Sequence, residues 1–388
     1  MSDRSERADF LLDHTPLVVL VGVYLLAARW IELQRGLDLT PQSAARDLLI
    51  ACIVGVFVVV TVATAFVLVF LLSRALPVLA RPSGTAGVRS TWADYRRHLT
   101  GNRLAGLFAS YALLYLLLNQ FLAFKGAIPE LSPFAWDRAF LELDRSIHLQ
   151  QDPWRLLHPL VGRAFITRGL DLVYYLWFPV NGLSFAWMAW TEPGPLRRRF
   201  LLTYFLLWIL LGTVAAIAFS SAGPVYYDRV TGEVGPYGAL LDYLRDVDAR
   251  FPLLALDVQE LLWAEHTGVL EQRIEGIAAM PSLHVAIPVL LALTGWKIHR
   301  AAGWTLTGFA VLILVGSVHL AWHYAVDGYA PIVAVPLLWW LVDAIYGRLE
   351  RGWRVPGILP RRSPARAPAT VEPRTSATAD TRWGSPRA

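Results

Sequence analysis

The sequence predicts an all-α protein, a polytopic membrane helical bundle of about eight transmembrane helices. Three observations predict it. Hydrophobic residues make up 55% of the 388, the mean hydropathy is +0.45, and apolar runs of spanning length recur along the chain. A hydrocarbon core about 30 Å thick takes roughly 20 apolar residues at about 1.5 Å each. Runs near that length lie at 15–31, 48–72, 104–124, 170–190, 200–220, 281–297, 304–322 and 325–346. Such a composition excludes an ordinary soluble domain. The single cysteine, Cys52, sits in the apolar run Ala51-Cys52-Ile53-Val54, which excludes an intramolecular disulfide and a cysteine metal cluster.

The first run reads as a retained helix, because Met1 to Asp13 is polar and no small-residue cleavage site follows it. The second, with Val56-Phe57-Val58-Val59-Val60, carries no charge, and the two read as an N-terminal hairpin. The loop from Ser73 to Arg103 holds Arg74, Arg81, Arg89, Arg96, Arg97 and Arg103 against one acid, Asp94. By the positive-inside rule it is cytoplasmic. Arg197-Arg198-Arg199, the turn at Lys297 to Arg300 and the Arg-rich tail fall on the same side, whereas the segment 220–279 has ten acids and four arginines. The expected protein is therefore a multi-pass protein of the cytoplasmic membrane with both termini inside. The arginines follow the membrane face, so the net charge of +5 signals no nucleic-acid partner.

Between the third and fourth runs, Phe134 to Asp144 alternates apolar and charged residues at helical spacing, the pattern of a helix lying in the outer interface. Gly223-Pro224 ends the fifth run and opens the acidic outer segment, where Leu254, Leu256, Val258, Leu261 and Leu262 predict short amphipathic helices folded over whatever lies beneath. Beyond Gly347 the chain is basic and Pro-rich and reads as disordered, giving a division into 1–100, 101–346 and 347–388.

The chemistry concentrates between Met280 and Asp327. Met280-Pro281-Ser282-Leu283-His284 opens one apolar run, and His323-Tyr324-Ala325-Val326-Asp327 closes the next. A hairpin of the two runs brings His284 and His323 to one membrane face, on the outer side. Asp327 follows His323 by four residues, which on a helix places the carboxylate one turn from the imidazole. A carboxylate there holds one ring nitrogen protonated and leaves the other to attack or to accept a proton. Ionisable groups at the rim of membrane helices are costly, so function is their default explanation.

These two motifs resemble the last two motifs of the type 2 phosphatidic acid phosphatase superfamily, and Pro-Ser-Leu-His followed by His-Tyr-x-x-Asp is similar to its inositol phosphorylceramide synthase-like branch. The resemblance covers roughly Gly101 to Tyr346 and implies a six-helix phosphatase-like core. It implies a lipid phosphatase or phosphotransferase: His323 as the nucleophile that becomes a phosphohistidine, Asp327 orienting it, and His284 protonating the leaving oxygen, with no metal and no other cofactor. The implied partners are a lipid phosphate or phospholipid and the bilayer. The chain departs from the family pattern in three places. Gly316-Ser317 stands where many members carry Ser-Arg, Leu283 where many carry Gly, and no Lys-x6-Arg-Pro motif is present at the outer face.

A phosphate still needs positive charge and donors. Arg168, ahead of the fourth run, ranks first, with Arg163, Arg229 and Arg273 also on outer segments; Ser282 and Tyr227 offer hydroxyls. His319 precedes His323 by four residues, a metal-pair spacing, so a His/Asp metallohydrolase is one alternative, with His319 otherwise supporting the site from behind. A transporter or lipid-binding protein using the histidines is the other. The sequence carries no signal for oligomeric state.

Overall fold

The computed structural model describes residues 3–39, 101–269 and 276–352. The predicted second helix, Cys52, the basic loop as far as Thr100, Arg273 and the tail beyond Gly352 lie outside these residues. The described residues form helices and turns with no strand.

α1 (Asp3–Arg35) packs on α2 (Gly101–Leu131), within one compact unit that extends to Gly347. Its acids Asp9 and Asp13 pair with Arg197 and Arg198, which are buried rather than presented to solvent. Short helices α3 (Asp137–Ile147) and α4 (Pro153–Val161) follow α2. The predicted run 170–190 is two helices, α5 (Ala164–Tyr175) and α6 (Trp177–Trp190), which meet at Leu176. Pro179 has no N–H to give the Tyr175 carbonyl four residues earlier, so the helix breaks there.

α7 (Pro195–Leu206) runs into a π-helical stretch (Leu207–Ala215) and a last α-turn (Ala216–Ala218). The acidic segment after it folds into α8 (Tyr227–Thr231), α9 (Gly238–Asp248) and α10 (Leu254–His266). α11 (Leu283–Ile298) and α12 (Arg300–His319) form the predicted hairpin, and α13 (Ala325–Gly352) ends the described chain. The α11–α12 pair packs closely because glycines let it: a Cβ on Gly295 would lie 3.0 Å from the Ala302 backbone, and one on Gly303 2.4 Å from the Trp296 ring.

Among the described residues, five helices are long and apolar enough to cross a membrane: 9–35, 103–131, 195–218, 300–319 and 325–348. Their outer faces expose Val19, Leu26, Phe108, Val311, Val333, Leu337 and Trp340. So much large apolar surface calls for lipid rather than water. The run predicted at 281–297 is a shorter helix of 16 residues, about 24 Å.

Candidate active site

The turn between α12 and α13 carries His323. Ala321 adopts a left-handed φ of 60°, and the Ser317 carbonyl accepts the N–H groups of both Trp322 (3.0 Å) and His323 (3.1 Å), which folds the chain back on itself. His323 therefore lies two residues ahead of α13 rather than on it, as the helical spacing predicted. Its pairing with Asp327 forms all the same: Nδ1 stands 3.3 Å from Oδ2, which also accepts the Tyr324 N–H at 3.0 Å. Asp327 is wholly buried, and His323 is 7% exposed.

α11 is fastened to this turn by backbone. The Ser282 N–H donates to the Asp327 carbonyl at 2.9 Å, which sets His284 opposite His323 with ring centroids 6.4 Å apart. Rings surround His284: Tyr174 stacks on it at 4.6 Å, Trp177 lies at 4.5 Å and Phe178 meets it edge-on at 5.9 Å. The break at Leu176 turns the end of α5 and the start of α6 toward the same imidazole.

Two buried acids of α3 hold the turn in place. Asp137 accepts the N–H groups of Ala222 and Gly223 and the Tyr324 hydroxyl. Asp144 accepts those of Ala325 (2.8 Å) and Val326 (2.9 Å), two of the donors left open at the start of α13. Burial raises both carboxyls, Asp144 to about 6. The sequence did carry a signal for them: Asp137, Phe140 and Asp144 recur at helical spacing on the buried face, while Arg138, Glu142 and Arg145 lie off it.

Asp144→Ala should strand both N–H groups and lower stability by about 2–4 kcal/mol, read as a fall in the thermal midpoint of the purified protein. Because the folded pKa lies above the unfolded one, Asp144's titration favours folding most in acid, below about pH 4, and that contribution is lost as pH rises through about 6. Asp144→Asn should flatten this part of the stability profile; an unchanged profile would remove Asp144 as its source.

His284 and His323 open on a cavity of about 340 Å³ between α2, α6, the π-helical stretch and α10. Leu118, Phe121, Leu122, Trp208, Val258 and Leu262 give it apolar walls. Lys125, near the C-terminal end of α2, lines it too, and its charge acts on His284. Residue-by-residue ranking passed over Lys125, although it is one of only two lysines in an arginine-rich chain.

The other predicted residues stand elsewhere. Arg168 pairs with Asp171 at 2.7 Å, and Arg229 pairs with Glu260 and lies over the Trp263 ring. Neither is among the cavity-lining residues; nor is Tyr227, which packs by Tyr237 while its neighbour Tyr226 lines the wall. Ser282 is buried between the lining residues Pro281 and Leu283. The Nε2 of His319 lies 2.9 Å from the Thr167 hydroxyl, with the Tyr243 and His158 rings nearby. No group of three or more His, Cys, Asp or Glu residues placed to hold a metal occurs among the described residues.

An imidazole backed by a carboxylate, a second imidazole across from it and a lysine at the rim of an apolar cavity suit attack on a phosphate ester. A family model, that of the PAP2 superfamily, matches residues 138–341, which takes in both histidines and Asp327. No curated protein and no solved structure matches the chain. The match spans just over half of the 388 residues, and with the helical membrane fold it establishes that the chain belongs to the PAP2 superfamily, whose members are phosphatases.

Proposed function

We propose that this protein is a lipid phosphatase or phosphotransferase that works through a phosphohistidine at the extracytoplasmic face of the cytoplasmic membrane. The observation that carries the reading is the carboxylate-backed His323 facing His284 across an apolar cavity. With Nδ1–H directed at Asp327, His323 presents Nε2 to phosphorus. The N–P bond forms as the P–O bond to the lipid alcohol breaks, and His284 gives its proton to the departing oxygen. Neutral again, His284 then takes a proton from water or from an acceptor alcohol, whose oxygen displaces His323. Asp327 stabilises the imidazolium character that Nδ1 acquires in both steps.

Lys125 supplies fixed positive charge for the phosphate in place of the arginine absent at Gly316-Ser317. The outward orientation rests on the arginines that gather at the opposite ends of the helices.

The test is turnover by the purified protein in detergent with chelator, on lipid phosphates and phospholipids, with and without inositol. Phosphate release makes it a phosphatase, and headgroup transfer to inositol a synthase-like transferase. Activity lost on chelation would replace this mechanism with a metal-dependent one. No turnover of any lipid would leave a transporter or binding protein.

A further inference from the structure

α1 precedes residue 138, where the family match begins, yet it is bolted at two heights to α7 and the π-helical stretch, which lie inside that match. The first bolt is ionic: Asp13 accepts from Arg197 at 2.8 Å and from Arg198 at 2.6 Å, and all three are buried. The second, about three turns further along α1, is Tyr24. Tyr24 is 6% exposed, and its hydroxyl stands 2.7 Å from Thr213 Oγ1. Thr213 has one hydroxyl proton and gives it to the Trp208 carbonyl at 3.3 Å, so in the shorter contact Tyr24 is the donor. Deep in a membrane bundle no bulk water stands in for either bond. A π-helical backbone is rare and recurs at functional sites, and here a side chain from another helix holds its Trp208–Thr213 turn.

Trp208 and Gly212, which this turn carries, both line the cavity, and from each a line of contacts ends at His284. Trp208 meets Trp177 edge-on at 6.5 Å, and Trp177 lies 4.5 Å from the His284 ring. Gly212 packs so closely that a Cβ there would stand 2.8 Å from Leu283 Cδ1, and Leu283 is joined directly to His284. We infer that Tyr24 is a positioning residue: by holding Thr213 on the Trp208 carbonyl it sets the wall that aims the His284 imidazole at the leaving oxygen. α1 is thereby part of the working site rather than an appended anchor. This rests on the general-acid reading of His284, and the NMR signal of that imidazole tests the coupling apart from turnover.

The experiment takes the full chain in detergent as the parent, Tyr24→Phe, Thr213→Val, Thr213→Ser and the double variant of the first two. Kinetics on a lipid alkyl phosphate and on a nitrophenyl phosphate are measured beside carbon NMR of histidines labelled at Cε1, where the His284 signal is the one missing from His284→Ala. Tyr24→Phe should lower kcat on the alkyl ester about three- to thirtyfold, with KM little changed, and leave the aryl ester within about twofold of the parent. Thr213→Val should do the same, whereas Thr213→Ser, which keeps the hydroxyl, should stay near the parent. The double variant should fall no further than either single one, since the same bond is lost in each. The His284 signal should move in Tyr24→Phe and Thr213→Val and stay in place in Thr213→Ser.

Equal losses on the two esters, or a His284 signal that stays in place in Tyr24→Phe, overturn the inference and leave α1 as packing. Should one of the two hydroxyl-deleting variants not fold, the other decides; Tyr24→Phe keeps the ring that packs 5.4 Å from Phe124. A parent that turns over neither ester discards the general-acid role of His284, while a shifted His284 signal would still keep the coupling of α1 to the imidazole.

Discussion

His323→Ala is expected to reduce turnover by about 10⁴-fold or more, because in the proposed mechanism it removes the atom that would form the covalent intermediate, and neighbouring groups do not replace a nucleophile. The geometry makes the loss specific. His323 is presented by a turn folded about the Ser317 carbonyl, so shortening its side chain disturbs none of the backbone bonds that set the turn. The variant should keep the parent's thermal midpoint and lipid binding while losing the acid-labile phosphoenzyme that rapid quenching traps from labelled substrate. Asp327→Asn should fall less, by about 10²–10⁴, since it keeps the side chain's size but no longer fixes the imidazole tautomer or stabilises its charge. If His323→Ala forms the phosphoenzyme at the parent's rate, the nucleophile is another residue and the proposed mechanism is wrong.

The hairpin that carries this residue was legible because its signals are local: two apolar runs, a basic turn, and ionisable groups only at the far ends. The His323–Asp327 pair was legible from spacing, although it forms by a different route. The turn ahead of α13, rather than the helix, brings the two side chains together, with Asp144 capping the helix from a distant part of the chain. Contacts of that kind escape a reading of neighbours. Arg168 ranked high by its place before an apolar run, yet the acid three residues on, Asp171, engages it, and Asp171 in turn accepts the first N–H groups of α10. Lys125 was hidden for the opposite reason: on an apolar helix it looks like a membrane-edge residue until α10 and α11 close over it to make the cavity. The π-helical stretch had no sequence signature at all. It shows itself only in what Gly212 touches and in the Tyr24 hydroxyl that braces its neighbour.

His284→Ala should cost about 10²–10⁴ in phosphoryl transfer from a lipid alkyl phosphate, the usual range for a lost general acid. It should cost far less for an aryl phosphate such as a nitrophenyl ester, whose oxygen leaves without a proton. That contrast identifies His284 by its role and not merely by its importance. The same contrast reaches outward to the rings. Among the described residues no hydrogen bond fixes the His284 imidazole; Tyr174 stacks on it and Trp177 lies tilted against it, both within 4.6 Å, and Phe178 closes the edge. If these rings aim the proton at the leaving oxygen, Tyr174→Leu and Trp177→Leu should slow alkyl esters more than aryl esters, as His284→Ala does, whereas Trp177→Phe, which keeps an aromatic face, should stay near the parent. Equal losses on both esters would make the rings mere packing. His284→Ala falling equally on both would take the proton away from His284 itself, and the oxygen's proton would have to come from another donor on the cavity wall, of which Lys125 is the nearest in kind.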